Sequence, residues 1–156
     1  MISEELKTID SSKIPFNKLI SIIFRGQTIY LKDKLEEFGI NSTQLGLLFE
    51  ISHQCNTNQE KIASRCNINK GAVARSIKKL EDDGLVVREI DTDNRRQNKV
   101  SLTEKGKDTL NKCIILLNDW EEEVFNEESV KKDELKRNLK EIAIRTIEIN
   151  EREVKY

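Results

Sequence analysis

Apolar residues recur along this chain at two spacings, and the change from one to the other divides it into elements. From residue 14 to 38, Leu19, Ile20, Ile23, Phe24, Leu31 and Leu35 recur at helical spacing, with pairs three, four or seven apart that gather side chains on one face of a helix. Pro15 suits the first turn of that helix after Ser12, and Gly39 closes it. A second helix follows, capped by Asn41, Ser42 or Thr43, with Leu45, Leu48 and Phe49 as its buried stripe. Residues 59–66 make a short third helix around Ile62 and Ala63. The connector CNIN, 66–69, leads out of it, and Asn67 can take the left-handed conformation that a glycine would otherwise supply.

The fourth helix, Lys70 to about Asp83, turns Val73, Ile77 and Leu80 inward and leaves Lys70, Ala72, Arg75, Ser76 and Lys79 outside. Gly84 ends it, and the pattern changes: LVVREI, 85–90, reads as a strand, and NKVSL, 98–102, alternates as a returning strand after the polar run 91–97. Thr103 then caps a fifth helix to about Phe125, with Leu110, Ile114, Leu117 and Val124 in register. A sixth opens at Ser129 or Asp133 and carries Leu135, Leu139, Ile142, Thr146 and Ile149 on one face. Helix, short turn, cationic helix and hairpin, in that order, make a winged helix-turn-helix.

The expected class is therefore mainly α (α+β), a winged helix-turn-helix with a helical dimerisation region formed by the N- and C-terminal helices. One domain is expected over 1–156, with the winged lobe at 41–102 and the helical region at 12–40 and 103–152. The terminal helices are too amphipathic to stand alone in water, so each other's faces and those of a second chain are expected to cover them.

Composition narrows the function. With 37% hydrophobic and 35% charged residues, six Gly and one Pro, the chain fits a single soluble domain of mostly helical character. Its longest apolar runs, around Leu19–Phe24 and Cys113–Leu117, fall far short of the roughly 20 residues that a membrane span needs. The N-terminus shows no basic region followed by an apolar stretch, so a cytoplasmic protein with no membrane partner is expected. Cys55, Cys66 and Cys113 are odd in number and without a CxxC pair, which argues against a disulfide framework and favours reduced thiols. His53, Cys55 and Cys66 lack the tight ligand pairs that zinc prefers, so no metal or cofactor is expected. One histidine, no glycine-rich phosphate loop and no HExxH leave little for catalysis, and EEE at 121–123 reads as a solvated helix face. The chain is not expected to be an enzyme.

The net charge is −1, but its distribution matters more. Residues 56–106 hold 11 basic and 8 acidic side chains, against 6 and 7 before them and 10 and 13 after. A basic centre between neutral and acidic flanks suits a module that meets phosphate with one part and something else with the others.

INKGAVARSIKKLEDDGLVVRE, followed by a polar loop, the pair Arg95 and Arg96, and V-x-L-T-x-x-G, resembles the MarR family of bacterial winged-helix regulators. The element order from residue 14 to about 150 is compatible with that family. Two positions depart from its pattern: Asn94 stands where an Asp is common two residues before Arg96, with Asp93 beside it, and Asn67 replaces the glycine of the helix-turn-helix. The resemblance implies a homodimeric transcription regulator, a repressor relieved by a small-molecule effector, that binds a pseudo-palindromic double-stranded DNA operator. The family's one-cysteine peroxide sensors carry their thiol in the first helix, where this chain has none between residues 14 and 38.

On that reading the fourth helix enters the major groove, with Arg75 on a guanine edge or a phosphate and Lys70, Ala72, Ser76 and Lys79 nearby. Gln59 and Ser64 on the third helix face phosphates. Arg95 probes the adjacent minor groove and Arg96 holds the shape of the wing, bracing it on Asp91 or Asp93. Arg25, Tyr30, His53 and Trp120 are the candidate effector residues, because a small anion or phenol would want one cation and an aromatic wall. The alternative function is a winged-helix protein-interaction module with little DNA affinity, which salt dependence would separate from DNA binding.

Overall fold

The computed structural model describes residues 2–53, 57–66, 68–90, 98–126 and 131–153. It falls into two compact units, Met1–Asn118 and Asp119–Tyr156.

The first unit opens with helix α1 (Ile2–Thr8) and a 3-10 turn, Ser11–Lys13, neither of which apolar spacing had indicated. Both are short and polar, and the turn forms because Asp10 accepts from the Ser12 amide at 2.8 Å. Helix α2 (Phe16–Glu36) begins after Pro15 at its N-cap and ends at Gly39, whose φ of 71° lets the Ile40 amide reach the Leu35 carbonyl at 3.1 Å. Helix α3 (Ser42–His53) is capped from both sides: Asn41 Oδ1 accepts from the Gln44 amide, and Gln44 Oε1 accepts from the Asn41 amide, each at 3.0 Å. That exchange satisfies Gln44, which is otherwise fully buried.

A two-residue strand β1 (Thr57–Asn58) precedes helix α4 (Gln59–Cys66), and helix α5 (Lys70–Asp82) follows. The hairpin is β2 (Val86–Ile90) with β3 (Asn98–Leu102), joined in five antiparallel pairs from Val86↔Leu102 to Ile90↔Asn98. The expected two-stranded hairpin is thus a three-stranded sheet, order β1-β3-β2, because Thr57 and Asn58 pair with Val100 and Lys99. Two residues are too few for any periodicity to announce such a strand.

The core gathers Leu31 and Leu35 of α2, Leu45, Leu47, Leu48 and Ile51 of α3, and Ile62 and Ala63 of α4. Val73, Ile77 and Leu80 of α5 join it, with Leu85, Val86, Val100 and, from helix α6 (Glu104–Val124), Leu110 and Cys113. Phe49 is only partly buried, whereas Leu47 is fully so: α3 is apolar on several sides and is wrapped by neighbours rather than lying on a surface. The earlier apolar positions of α2 behave differently, since Ile20, Ile23 and Phe24 are exposed.

The second unit holds the end of α6 and helix α7 (Lys132–Glu153). Glu121 Oε1 accepts from Lys132 at 2.8 Å and from Lys136 at 2.5 Å, and these donors hold its carboxyl below the usual range. Leu139, Ile142, Ile144, Ile147 and Ile149 of α7 are exposed. No helix among the described residues is long and apolar enough to cross a membrane.

Candidate nucleic-acid interface

Helices α4 and α5 are locked together by a short turn. The Ile68 amide donates to the Ala63 carbonyl at 3.0 Å, closing α4, and Asn69 caps α5 by accepting from the Gly71 amide at 2.8 Å. Asn67, between them, lies outside the described residues. The buried stripe Val73, Ile77 and Leu80 then fixes which face of α5 looks out.

That outer face is cationic, and most of its charges are already paired. Lys70 meets Glu60 of α4 at 2.9 Å, Lys78 meets Asp82 at 2.6 Å, and Lys79 meets Asp83 at 3.2 Å. Such solvent-exposed pairs are weak and are readily exchanged for another anion. Arg75 differs. It is exposed, has no hydrogen bond or ion pair to any described residue, and its Nη1 lies 3.6 Å from where a Cβ on Gly71 would be. The guanidinium therefore lies back along the first turns of α5, with its five donors available to a planar acceptor. Ala72 and Ser76 are half-buried beside it.

On α4, Ser64 is exposed, but Gln59 carries a buried Nε2 with no hydrogen-bond partner among the described residues. Its amide nitrogen faces inward, so Gln59 does not present that donor to a phosphate in this conformation. Arg65 is tied to Glu50 of α3 at 2.8 Å. Arg95 and Arg96, with Asp91, Asp93 and Asn94, lie outside the described residues.

Sequence reasoning missed the pair that ties the hairpin to α5: Arg88 Nε donates to Glu81 Oε2 at 3.0 Å and Arg88 Nη2 donates to the same oxygen. Those donors hold the Glu81 carboxyl below its ordinary range. Glu81 lies in α5 and Arg88 in β2, on either side of the turn at Gly84, so the period of neither element marks the pair.

A separate cavity of about 410 Å³ opens between α2, α3, the α4–α5 turn and α6. Phe24, Leu31, Leu45, Phe49, Ile68 and Leu117 supply apolar wall; Gln27, Thr28, Ser42, Thr43 and Cys66 supply polar atoms. None of the expected effector residues lines it. Arg25 turns its Nε to the Ser21 carbonyl at 3.3 Å, Tyr30 sits under Lys34 at 3.9 Å, and His53 is exposed, its ring centroid 6.5 Å from that of Phe49. Trp120 belongs to the second unit. No charged side chain lines the cavity, so the expected cation for an anionic ligand is not supplied there. Burial and Glu50 push the Cys66 thiol up, and burial pushes Cys113 to about 11, so neither is an activated thiolate. Among the described residues no group of His, Cys, Asp and Glu is arranged to hold a metal ion.

The sequence model of the MarR family matches residues 40–97, from just before α3 to the segment after β2. The HTH-type transcriptional regulator SarZ of Staphylococcus epidermidis is 32% identical over 102 residues, 65% of this chain and 66% of SarZ. The match thus spans just under two thirds of that relative's length. A MarR transcriptional regulator from Methanosarcina mazei superposes with a TM-score of 0.78 at 33% identity, over 85% of this chain and 96% of that one. The S. aureus MepR–DNA complex shares the fold, with a TM-score of 0.70 at 21% identity over 84% and 98%.

Proposed function

The chain belongs to the MarR family, and from that premise we propose that it is a sequence-specific double-stranded DNA-binding transcription regulator acting in the cytoplasm. The observation that carries the proposal is the outer face of α5, where Arg75, unpaired among the described residues, stands between cations held only by weak exposed pairs. A helix seated in the major groove places such a guanidinium against base edges or phosphates. MepR, of the same fold, is solved with DNA. Lys70, Ser76, Lys79 and Ser64 join Arg75 at the duplex, and Arg95 and Arg96 extend contact to the minor groove. Residues 41–102 form the DNA-binding lobe on this reading.

The protein works as a homodimer on a pseudo-palindromic operator, with 12–40 and 103–152 as the dimerisation region. Support comes from the exposed apolar residues of α2 (Ile20, Ile23, Phe24) and α7 (Leu139, Ile142, Ile149), more than single surface apolar residues require. Repression is relieved by a small molecule, for which the cavity beside the α4–α5 turn is the favoured site.

The test is binding to a duplex enriched by the protein from a random-sequence pool, measured over a range of salt. A steep linear fall of log affinity with log salt supports the proposal, because neutralised phosphates release counterions. A protein that enriches no duplex is instead an interaction module.

A further inference from the structure

The chain turns sharply between α5 and the hairpin. Gly84, at φ 72°, lets the Leu85 amide reach the Leu80 carbonyl at 2.8 Å, and β2 leaves in a new direction. Across this corner Arg88 reaches back to Glu81 in the last turn of α5, its Nε and Nη2 both donating to Oε2. The two side chains are only 25% and 29% exposed, so the pair is better shielded than those elsewhere on α5.

Strand alternation puts Arg88 on the face of β2 that carries buried Val86. Arg88 lies opposite Val100, also buried, and beyond it Glu89 and Ile90 are exposed. Among the described residues of β2, Arg88 is thus the outermost side chain tied to the body of the domain. Pairing with Thr57 and Asn58 of β1 holds the β3 side of the hairpin, whereas β2, at the edge of the sheet, is left to pivot about Val86. A guanidinium fixed by two hydrogen bonds to one carboxylate, one same-face position further out, removes that freedom.

We propose that Glu81 and Arg88 are positioning residues: their ion pair holds the wing hairpin at a set angle to α5, so that helix and wing meet one duplex together. The inference rests on the DNA-binding reading above. A ligand that touches two elements is held more tightly when their spacing is set beforehand, since no ordering is then charged to binding. Neither residue needs to touch DNA.

The test uses the full chain with Glu81→Gln and with Arg88→Lys, which keeps the charge but loses the fork. Anisotropy is read on the duplex enriched by the parent and on a scrambled duplex of equal length, beside amide hydrogen exchange of segments 86–90 and 98–102. Both variants are expected to lose about tenfold on the enriched duplex and to change less than about twofold on the scrambled one. Exchange should quicken in the two strand segments while the interior of α5 keeps its protection. Exchanging the charges, Glu81→Arg with Arg88→Glu, should recover part of the affinity. Parent-like affinity and exchange in both single variants overturn the brace with the DNA reading intact, and so does exchange that quickens equally throughout α5. A parent that enriches no duplex brings down the DNA reading instead, and the positioning role with it.

Discussion

Gly106, on the first turns of α6, lies so close to the backbone of Leu85 that a Cβ at its position would fall 1.9 Å from the Leu85 carbonyl oxygen. The approach is held by Thr103, whose amide donates to that same carbonyl at 3.1 Å and whose Oγ1 donates to the Gly84 carbonyl at 2.7 Å. Thr103 Oγ1 also accepts from the Gly106 amide at 3.0 Å, so one side chain caps α6 and pins it to the corner where α5 becomes β2.

Replacing Gly106 with Ala therefore sets a side chain against backbone, which cannot yield as a flexible side chain does. The Gly106→Ala variant should lose ~2–3 kcal/mol, read as a lower denaturant midpoint at unchanged slope. Gly46 gives the opposite sign: it sits inside α3 with nothing within 4 Å of an added Cβ. Gly46→Ala should gain ~0.5–1 kcal/mol from helix propensity alone.

Arg75→Ala should lower affinity for the enriched duplex by ~1–3 kcal/mol and relax sequence preference at one position of each half-site. A loss equal on all sequences makes Arg75 a phosphate contact, and no loss removes it from the interface. Arg95→Ala should flatten the salt dependence by about one counterion, a result that parent-like slope would contradict.

Ile142→Glu places a charge on the exposed apolar face of α7. Sedimentation at micromolar concentration should show the parent as a dimer and this variant shifted toward monomer. A monomeric parent removes the dimer from the proposed function.

Glu81 and Glu121 share a pH signature. Both carboxyls are held below their ordinary value of 4.5 by donors present only in the folded state, Arg88 for one and Lys132 and Lys136 for the other. A carboxylate with a depressed folded value contributes stability that is fully present above the unfolded value and is lost as pH falls through the folded one. Urea unfolding of the parent and of Glu81→Gln should accordingly differ near neutral pH and converge in acid, as pH falls below 4.5 and on through the lower folded value. A difference that persists unchanged in acid assigns the effect to something other than this ion pair.

Cys113 is fully buried in α6 and its thiol is pushed to about 11. At neutral pH it should stay unlabelled by a maleimide in the native protein and react only on unfolding, with mass spectrometry locating the adduct. Rapid native labelling at Cys113 would mean that α6 opens readily.

Much of the fold was legible from periodicity, because a long amphipathic helix must turn one stripe inward. The spacing of Val73, Ile77 and Leu80 by itself orients α5, and with it Arg75 and Lys79. Gly39, Gly84 and Thr103 announced their boundaries for a local reason, since a positive φ or a capping hydroxyl acts within a few residues. What tertiary structure alone decided acts between elements. The third strand exists because β3 offers Thr57 and Asn58 an edge, not because two residues favour one. The cavity is bounded by Gln27, Thr28 and Phe49 rather than by Arg25, Tyr30 and His53, because helix rotation and packing select the facing side chains. Glu81 and Arg88 meet only because Gly84 turns the chain by an amount that no residue type encodes, and a charged pair set by that angle has no period to read.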